Sequence, residues 1–233
     1  MKIGFIVTSH WSERIRPQGD ELLRRYVDSI LKHCTYDYNI YIIDNQSEFT
    51  LPAYEVPTVK YTRIDNQYEK GLTGAWNVGL YTAYSDGCDI LINCNDDLWF
   101  SESINRFIEH IASVSNPDRV YSTLTNGVLS GPHKSSGPRE GTQTLPCTNG
   151  NNVINGFLFA ITKEHYEKFR YNSNEYFPLK HPNDGGDGKW GGQEGYWIEL
   201  SAKGLSGLIY NDVFVEHTKF RAWKTAKNID NER

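Results

Sequence analysis

The clearest chemical signal in this sequence is a group of three polar side chains that follows an apolar run. Residues 90–92 are aliphatic, and Asn95, Asp96 and Asp97 come soon after them. Oxygen ligands of this kind suit Mg²⁺ or Mn²⁺, which keep coordination positions open for phosphate oxygens. Such a cation would offset the cost of two adjacent carboxylates at the end of a buried strand. The alternative is a turn in which Asn and Asp side chains cap the next helix.

Three more side chains could take part in chemistry at such a site. Asp44 follows another apolar run and could accept the N3–H of a uracil base, or it could form an Asx-turn. His217 follows the last apolar run and could be a further metal ligand or a structural histidine. Glu194 follows a glycine-rich segment and could be the general base for an incoming hydroxyl, or a favourable charge at a helix N-terminus.

Two periodicities predict the elements that must position these residues. Runs of apolar and β-branched residues predict strands at 3–10, 39–47, 58–65, 88–94, 119–125, 153–161 and 207–217. Helical spacing of apolar residues predicts helices over about 18–33, from Gly71 onward, after Ser101 as N-cap, after Thr162 as N-cap, and through Trp197 to a stop at Gly204.

The order of these elements is typical of an α/β domain with a mainly parallel sheet. Ligands of such sheets bind at the carboxyl ends of the strands. Asp44 and the group Asn95, Asp96 and Asp97 both lie at such ends. We therefore expect the two acidic positions to meet at one edge of the sheet.

Two long segments lack periodicity and are rich in glycine. They are residues 126–152 and residues 181–195. Loops of this length inside a compact domain are usually lids, binding segments or disordered. We expect residues 126–152 to order over a bound ligand, and no linker divides the chain into independent domains.

The composition excludes several classes of protein. The chain has 233 residues, 38% of them hydrophobic, and a formal net charge of −5, which gives no electrostatic footprint for nucleic acid. No apolar stretch approaches the roughly 20 residues of a transmembrane helix, and the first residues are too short and too strand-like for a signal peptide. The four cysteines lack CxxC spacing, so we expect reduced thiols and a cytoplasmic location.

A set of short segments resembles a known family. In chain order they read IGFIVTSH, IIDNQS, EKGLTGAWNVGL, ILINCNDD, NGFLFAITKEHYEKF and GGQEGYWIELSAKG. This order, over about residues 2–217, looks like an inverting, nucleotide-sugar-dependent glycosyltransferase of the GT-A fold and resembles glycosyltransferase family 2. The resemblance implies a Rossmann-like, mainly parallel mixed sheet flanked by helices in one domain, 1–233. Residues 1–100 would bind the nucleotide sugar, 101–217 the acceptor, and 218–233 would be a tail.

The resemblance also implies roles for individual residues. Asp97 would bind Mn²⁺ or Mg²⁺ as the last position of a DxD-like motif, with His217 as a further ligand, and Glu194 would be the base. The nucleotide sugar, with UDP favoured, would contact Thr8, Asp44, Gly71, Gly74, Asn77, Asn95 and Asp96. The acceptor, a glycan or glycoconjugate, would contact Asn155, Gly156, Trp190 and Trp197.

Two positions depart from the family pattern. Asn95 replaces the first Asp of the DxD motif, a position that tends to bind ribose. The base motif reads Gln193-Glu194 instead of Glu-Asp, so Asp184 and Asp187 are alternative bases. A sugar-binding module without catalysis is the second hypothesis. A sugar-nucleotide nucleotidyltransferase is less favoured, because no glycine-rich phosphate loop follows the first strand.

Overall fold

A computed structural model of the chain describes residues 1–11, 19–48, 50–51, 53–64, 71–127, 131–145, 154–182 and 193–218. Within these ranges the strands are β1 (Lys2–Ser9), β2 (Asp37–Asn45), β3 (Val59–Ile64), β4 (Ile90–Asn95), β5 (Leu98–Trp99), β6 (Arg119–Thr125), β7 (Thr142–Leu145), β8 (Leu158–Thr162) and β9 (Ser206–His217). The helices are α1 (Gly19–His33), α2 (Gly71–Ser85), α3 (Ser103–Val114), α4 (Lys163–Phe169) and α5 (Gln193–Ser201).

The strands form one mixed sheet in the order β3-β2-β1-β4-β8-β6-β9-β5, with β7 also paired to β9. Strands β3, β2, β1 and β4 are parallel neighbours. Strand β8 is antiparallel to β4 and β6, while β6 and β9 run parallel. Six strands therefore point in one direction, and their carboxyl ends lie at the same edge of the sheet. The predicted α/β architecture with a mainly parallel sheet is confirmed.

Two apolar layers cover the two faces of the sheet. One layer packs α1 and α3 against it, through residues such as Tyr26, Ile30 and Phe107. The other packs α2, α4 and α5 against it, with Trp76 and Trp197 among its largest side chains. These rings and aliphatic groups leave water on folding, which is the main stabilising contribution to such a fold. No helix in the described ranges is long and apolar enough to cross a membrane.

Several predicted elements differ from the observed ones in detail. Ser101 is not the N-cap of α3: that position is Glu102, which makes no side-chain cap, although the Ser101 Oγ accepts the Ser103 N–H at 3.3 Å. Strand β8 begins at Leu158 rather than 153. Thr162 does cap α4, because its Oγ1 accepts the His165 N–H at 3.2 Å. The short strand β5 has too few residues for a periodic pattern.

The expected lid over 126–152 is wrong for residues 131–145. Strand β7 lies antiparallel along β9, and the Thr125 N–H donates to the His133 carbonyl at 2.8 Å. The Gln143 Nε2 donates to the Asn211 Oδ1 at 2.7 Å. The paired backbone and the buried side chains of His133 and Leu145 fix these residues at the side of the sheet. The rest of the predicted lid, 128–130 and 146–152, lies outside the described residues.

Strand β9 carries a bulge in its pairing with β6. Thr123 pairs with Tyr210, but the next residue, Leu124, pairs with Phe214. Residues 211–213 are thus extra residues on β9. Tyr210 packs in the layer under α1 and α3, whereas Phe214 packs against the opposite layer. The bulge therefore changes the face that the last residues of β9 present.

Candidate active site

The carboxyl ends of the six codirectional strands bring the predicted polar residues to one edge. Ser9 pairs with Asp44 across β1 and β2, and Thr8 pairs with Asn95 across β1 and β4. On the other side of β8, strands β6 and β9 end in parallel. The expectation that these strand ends meet at one edge agrees with this register.

Asp97 and His217 are in direct contact at this edge. The His217 Nε2 lies 2.9 Å from the Asp97 Oδ1, and both side chains are largely buried. Two backbone features fix the approach: Leu98 pairs with His217, and the Thr218 N–H donates to the Asp97 carbonyl at 2.9 Å. Residues 120 positions apart in the chain thus place an oxygen and a nitrogen ligand side by side.

The imidazole of His217 is positioned by the ends of β6 and β8. Its backbone N–H donates to the Asn126 Oδ1 at 2.8 Å, and its ring stacks on Phe157 with centroids 5.9 Å apart. The ring Nδ1 is buried and has no hydrogen-bond partner among the described residues. Asn126 and Phe157 were not singled out by the sequence, because neither residue type indicates metal chemistry.

The Asp97–His217 pair fits a divalent cation that a substrate helps to hold. A carboxylate oxygen and an imidazole nitrogen are acceptable ligands for Mn²⁺, and nucleotide-bound Mg²⁺ commonly uses one or two protein carboxylates plus phosphate oxygens. The described ranges contain no group of three or more His, Cys, Asp or Glu side chains placed to bind a metal. The pair therefore fits a site completed by phosphate oxygens rather than a closed structural metal site.

Asp96 has a different hydrogen-bond partner from this pair. Its carboxylate is fully buried and accepts the Ser9 Oγ–H at 2.6 Å. The bond joins the ends of β1 and β4 on the face covered by α1 and α3. A contact between Asp96 and the nucleotide stays a prediction.

Asp44 is fully buried, and its carboxylate already accepts several hydrogen bonds. Its Oδ1 accepts the N–H of Ser47, three residues on, at 2.8 Å, so the carboxylate stabilises the turn after β2, although an Asx-turn would bond the N–H two residues on. Its Oδ2 accepts the Tyr61 hydroxyl at 2.5 Å and the Arg63 Nη1 at 3.1 Å. Tyr61 and Arg63 are alternate residues of β3, and both stay partly exposed. Sequence reasoning missed them because it treated β3 only as a strand.

Unpartnered polar atoms lie beside Asp44 on the face covered by α2. The Thr8 Oγ1 and the Asn45 Oδ1 are buried and make no hydrogen bond within the described residues. Asn95, the register neighbour of Thr8, is half-buried. Burying a polar atom without a hydrogen-bond partner costs free energy, so a ligand that supplies such partners would bind favourably here. This position supports Thr8 and Asn95 as ligand-facing residues.

The three predicted positions on α2 have different roles. Gly71 begins the helix with a φ of 55°, a left-handed conformation that favours glycine, and Gly74 is buried. Asn77 requires a correction. Its Nδ2 donates to the Phe177 carbonyl at 2.8 Å, and its Oδ1 accepts the N–H groups of Tyr176 and Phe177 at 3.1 and 2.9 Å. This buried amide ties α2 to the segment before α5, and it is not available to a nucleotide.

Asn155 and Gly156 lie just before β8, as the resemblance implies for the acceptor side. Asn155 is exposed. A Cβ on Gly156 would lie 2.8 Å from the Trp76 Cη2 and 3.2 Å from the Gln193 Oε1. Glycine therefore allows Trp76 and the first residue of α5 to approach β8 closely.

His133 is a further residue of this edge that sequence reasoning missed. Its Nδ1–H donates to the Thr123 carbonyl at 2.9 Å, and its Nε2 accepts the Asn155 N–H at 3.1 Å. Burial lowers the pKa of the imidazole to about 4, so the ring is neutral and both nitrogens are used. His133 thus joins the end of β6 to the start of the acceptor-side segment. Its glycine-rich sequence context gave no signal for this role.

Trp197 also requires a correction. The indole is fully buried, its ring centroid lies 5.2 Å from Phe159 and 5.4 Å from Phe177, and its Nε1 donates to the Tyr176 hydroxyl at 3.3 Å. It cannot stack on an acceptor sugar from there. Glu194 is the second residue of α5, but its side chain lies outside the described part of the structure, as do Asp184, Asp187 and Trp190.

Comparisons with known proteins agree with this fold. The crystal structure of S. aureus TarS 1-349 superposes with a TM-score of 0.59 at 13% identity, over 100% of this chain and 65% of that one. The TarS complex with UDP-GlcNAc gives 0.57 at 13%, over 96% of this chain and 61% of that one. The chain thus spans less than two thirds of the TarS chains, and at this identity the likeness shows the fold alone. A search of curated proteins gives no significant match.

A sequence model described as Glycosyl transferase family 2 matches residues 18–169, which is more than half of the chain. That range includes Asp44 and the group Asn95, Asp96 and Asp97. The match and the fold together favour a transferase over the binding module and the nucleotidyltransferase. The protein belongs to glycosyltransferase family 2 and has the GT-A fold.

Proposed function

We propose that this glycosyltransferase is metal-dependent and inverting, and that it moves a sugar from a UDP-linked donor to a hydroxyl of a glycan or glycoconjugate. The single observation that carries the proposal is the Asp97–His217 contact at 2.9 Å, at the sheet edge where Asp44 lies near the end of β2. TarS has been crystallised with UDP-GlcNAc, which supports a UDP-linked donor for this relative in fold.

On the donor side, Asp44 and Arg63 read the edge of the nucleobase. The carboxylate offers an acceptor for an N–H group, and the half-exposed guanidinium beside it offers donors for a carbonyl oxygen. The Thr8 hydroxyl and the Asn95 amide lie next along the same edge and contact the ribose. Gly71, Gly74 and Asp96 shape this site from the start of α2 and the end of β4.

Asp97 and His217 hold a Mn²⁺ or Mg²⁺ ion. When bound, such an ion acts as a Lewis acid that stabilises the negative charge developing on the leaving diphosphate. The Asp97 carboxylate supplies the negative charge that attracts the cation, and the His217 imidazole supplies a nitrogen ligand. The contacts of His217 with Asn126 and Phe157 fix the ring before the ligand arrives.

On the acceptor side, Glu194 removes the proton of the acceptor hydroxyl as that oxygen attacks the anomeric carbon from the face opposite the diphosphate. Helix α5 is anchored for this task, because Trp197 is packed in the core and bonded to Tyr176. Asp184 and Asp187 are the alternative bases. Asn155, Gly156 and Trp190 contact the acceptor.

The proposal also assigns a binding role to each part of the chain and a cellular compartment to the protein. Residues 1–100 bind the donor, residues 101–217 bind the acceptor, and 218–233 form a tail. The thiols of Cys34, Cys88 and Cys94 are free, which supports a reducing, cytoplasmic compartment.

The test is thermal unfolding of the protein with a panel of UDP-, dTDP- and GDP-sugars, each with Mn²⁺ and with EDTA. We expect a UDP-sugar to raise the unfolding temperature only when Mn²⁺ is present, since a ligand that binds the folded state stabilises it by mass action. A shift of equal size in EDTA would contradict the metal dependence. A shift for a dTDP- or GDP-sugar alone would contradict the base assignment, and no shift for any donor would contradict the donor site.

A further inference from the structure

The turn after β6 lies against the ring of His217. Thr125, the last residue of β6, pairs with Val215 of β9, and the Gly127 N–H donates back to the Thr125 Oγ1 at 3.2 Å. Asn126 accepts the backbone N–H of His217. The Asn126–Gly127 turn therefore faces the final residue of β9.

Gly127 provides the space that the imidazole occupies. A Cβ at this position would lie 2.1 Å from the His217 Nδ1, 2.2 Å from its Cγ and 2.3 Å from its Cβ. These distances are well inside van der Waals contact. Because the overlap includes the Cβ and Cγ, turning the ring about its own axis cannot relieve it. The φ of Gly127 is not in the left-handed region, so glycine is needed here for space and not for backbone conformation.

Two contacts restrain the His217 ring at the position where it would bind the metal ion. Its Nε2 lies 2.9 Å from the Asp97 Oδ1, and its plane stacks on Phe157 at an angle of 27°. Rotation about χ1 leaves the His217 Cβ in place and cannot relieve the overlap either, so a side chain at position 127 would force the end of β9 and the Asn126–Gly127 turn apart. That separation moves the Nε2 away from Asp97 or breaks the bond from the His217 N–H to Asn126.

We propose that Gly127 is a positioning residue of the metal site: the absence of a side chain there seats the His217 ring and holds its Nε2 beside Asp97. The proposal rests on the function proposed above, in which Asp97 and His217 bind the ion. Neither the motifs of the sequence nor the family resemblance singled out this position.

The experiment compares Gly127→Ala with Gly137→Ala, a matched control. A Cβ at Gly137 would meet no atom within 4 Å. Calorimetry of Mn²⁺ titrated into each protein with saturating UDP gives the affinity. We expect Gly127→Ala to weaken Mn²⁺ binding by roughly 10- to 100-fold, the usual effect of disturbing a residue that orients a metal ligand. We expect Gly137→Ala to bind as the wild type does.

A double-mutant cycle shows whether the effect acts through His217. His217→Gly removes all three atoms that a Cβ at position 127 would overlap, whereas His217→Ala would keep one of them. We expect Gly127→Ala to lower the unfolding temperature of the wild type by a few degrees and to leave that of His217→Gly unchanged. An equal drop in both backgrounds would overturn the proposal.

The remaining outcomes separate this proposal from the one on which it rests. A folded Gly127→Ala protein that binds Mn²⁺ as tightly as the wild type would overturn the role of Gly127 alone. A wild type that binds UDP but no Mn²⁺ would overturn the metal site and this role together. If Gly127→Ala does not fold, the double variant Gly127→Ala/His217→Gly decides the matter, because it removes the atoms that the new Cβ would overlap; a double variant that does not fold either would overturn the proposal.

Discussion

Acidic side chains differ in their exposure to solvent between the two edges of the sheet. At the amino edge, Asp86 and Asp89 have side chains that are 32% and 52% exposed. Asp86 pairs with Lys60, and that ammonium is the main cause of the lowered pKa of the carboxyl. These are ordinary surface ion pairs, screened by water and salt.

At the carboxyl edge three acids are buried. Asp44 and Asp96 are fully buried and Asp97 is 7% exposed. Buried carboxylates lose their hydration and need specific donors or cations in return. Here their recorded partners include Tyr61, Ser9 and His217. The difference between the edges supports the carboxyl edge as the proposed site, because an acid that served only solubility would have stayed in water.

The largest effect on ligand binding should follow from neutralising Asp97 at the carboxyl edge. The matched change at the amino edge is its control. We expect Asp97→Asn to weaken Mn²⁺-dependent UDP binding by more than the roughly 10- to 100-fold typical of residues that only orient a ligand. The physical reason is that the amide keeps the shape of the carboxylate and removes the charge that attracts the cation. Isothermal titration with UDP and Mn²⁺ measures it.

Asp86→Asn is the matched control at the amino edge. It should leave UDP binding unchanged and lower the free energy of unfolding by about 1 kcal/mol or less, as expected for a surface pair. If the two variants bind UDP and Mn²⁺ equally well, the comparison between the edges has no functional meaning.

The second effect concerns the buried bond between Ser9 and Asp96. Ser9→Ala removes one donor from a fully buried carboxylate, so we expect it to lower the free energy of unfolding by about 1–3 kcal/mol. The exposed Ser113, whose Oγ donates to the His110 carbonyl at 2.9 Å, supplies the control Ser113→Ala. Urea unfolding of both variants measures the difference. If Ser9→Ala lowers the free energy of unfolding no more than Ser113→Ala does, the Ser9 hydrogen bond does not offset the cost of burying Asp96.

The third effect is smaller and concerns one buried histidine near each edge. Burial lowers the pKa of His133 to about 4 and that of His165 to about 3. His165 uses both nitrogens too, one donating to the Pro117 carbonyl at 2.6 Å and one accepting the Tyr176 hydroxyl at 2.5 Å. The unfolded chain takes up these protons near pH 6.5, before the folded protein does.

Stability should therefore be complete above pH 6.5 and decrease as the pH falls toward these folded pKa values. Each histidine contributes at most about 1.4 kcal/mol per pH unit. His133→Gln and His165→Gln should each flatten the dependence of the unfolding free energy on pH between 6.5 and 5, measured by urea unfolding. The His133 contribution ends near pH 4, and that of His165 continues to about pH 3. A slope equal to that of the wild type would show that the replaced histidine is not held neutral.

The sequence predicted the fold well where periodicity and strand order carry the information. The apolar runs before Asp44 and Asn95 are parallel strands, so their ends had to meet at one edge. His217 could be placed at the same edge because it ends the last predicted strand, although its contact with Asp97 depends on long-range pairing that no local pattern contains.

The parts that could not be predicted depend on side-chain direction and tertiary contacts. Asn77 and Trp197 match family segments, yet one bonds backbone groups about 100 residues away and the other fills the core. His133, Tyr61 and Gly127 act through residues that are distant in sequence. A residue type at a motif position indicates what a side chain can do, whereas burial and partners decide what it does.

The number of extra residues in the β9 bulge, odd or even, decides which face of the sheet His217 presents. Side chains on a strand alternate between two faces, so an odd number of extra residues exchanges the faces of everything that follows. Residues 211–213 are three in number, and the face of His217 follows from that odd count. Losing one residue from the bulge would change the parity and turn His217 away from Asp97, whereas losing two would keep the parity and the face of His217. The number of residues in the bulge thus decides whether the side chains of Asp97 and His217 can meet.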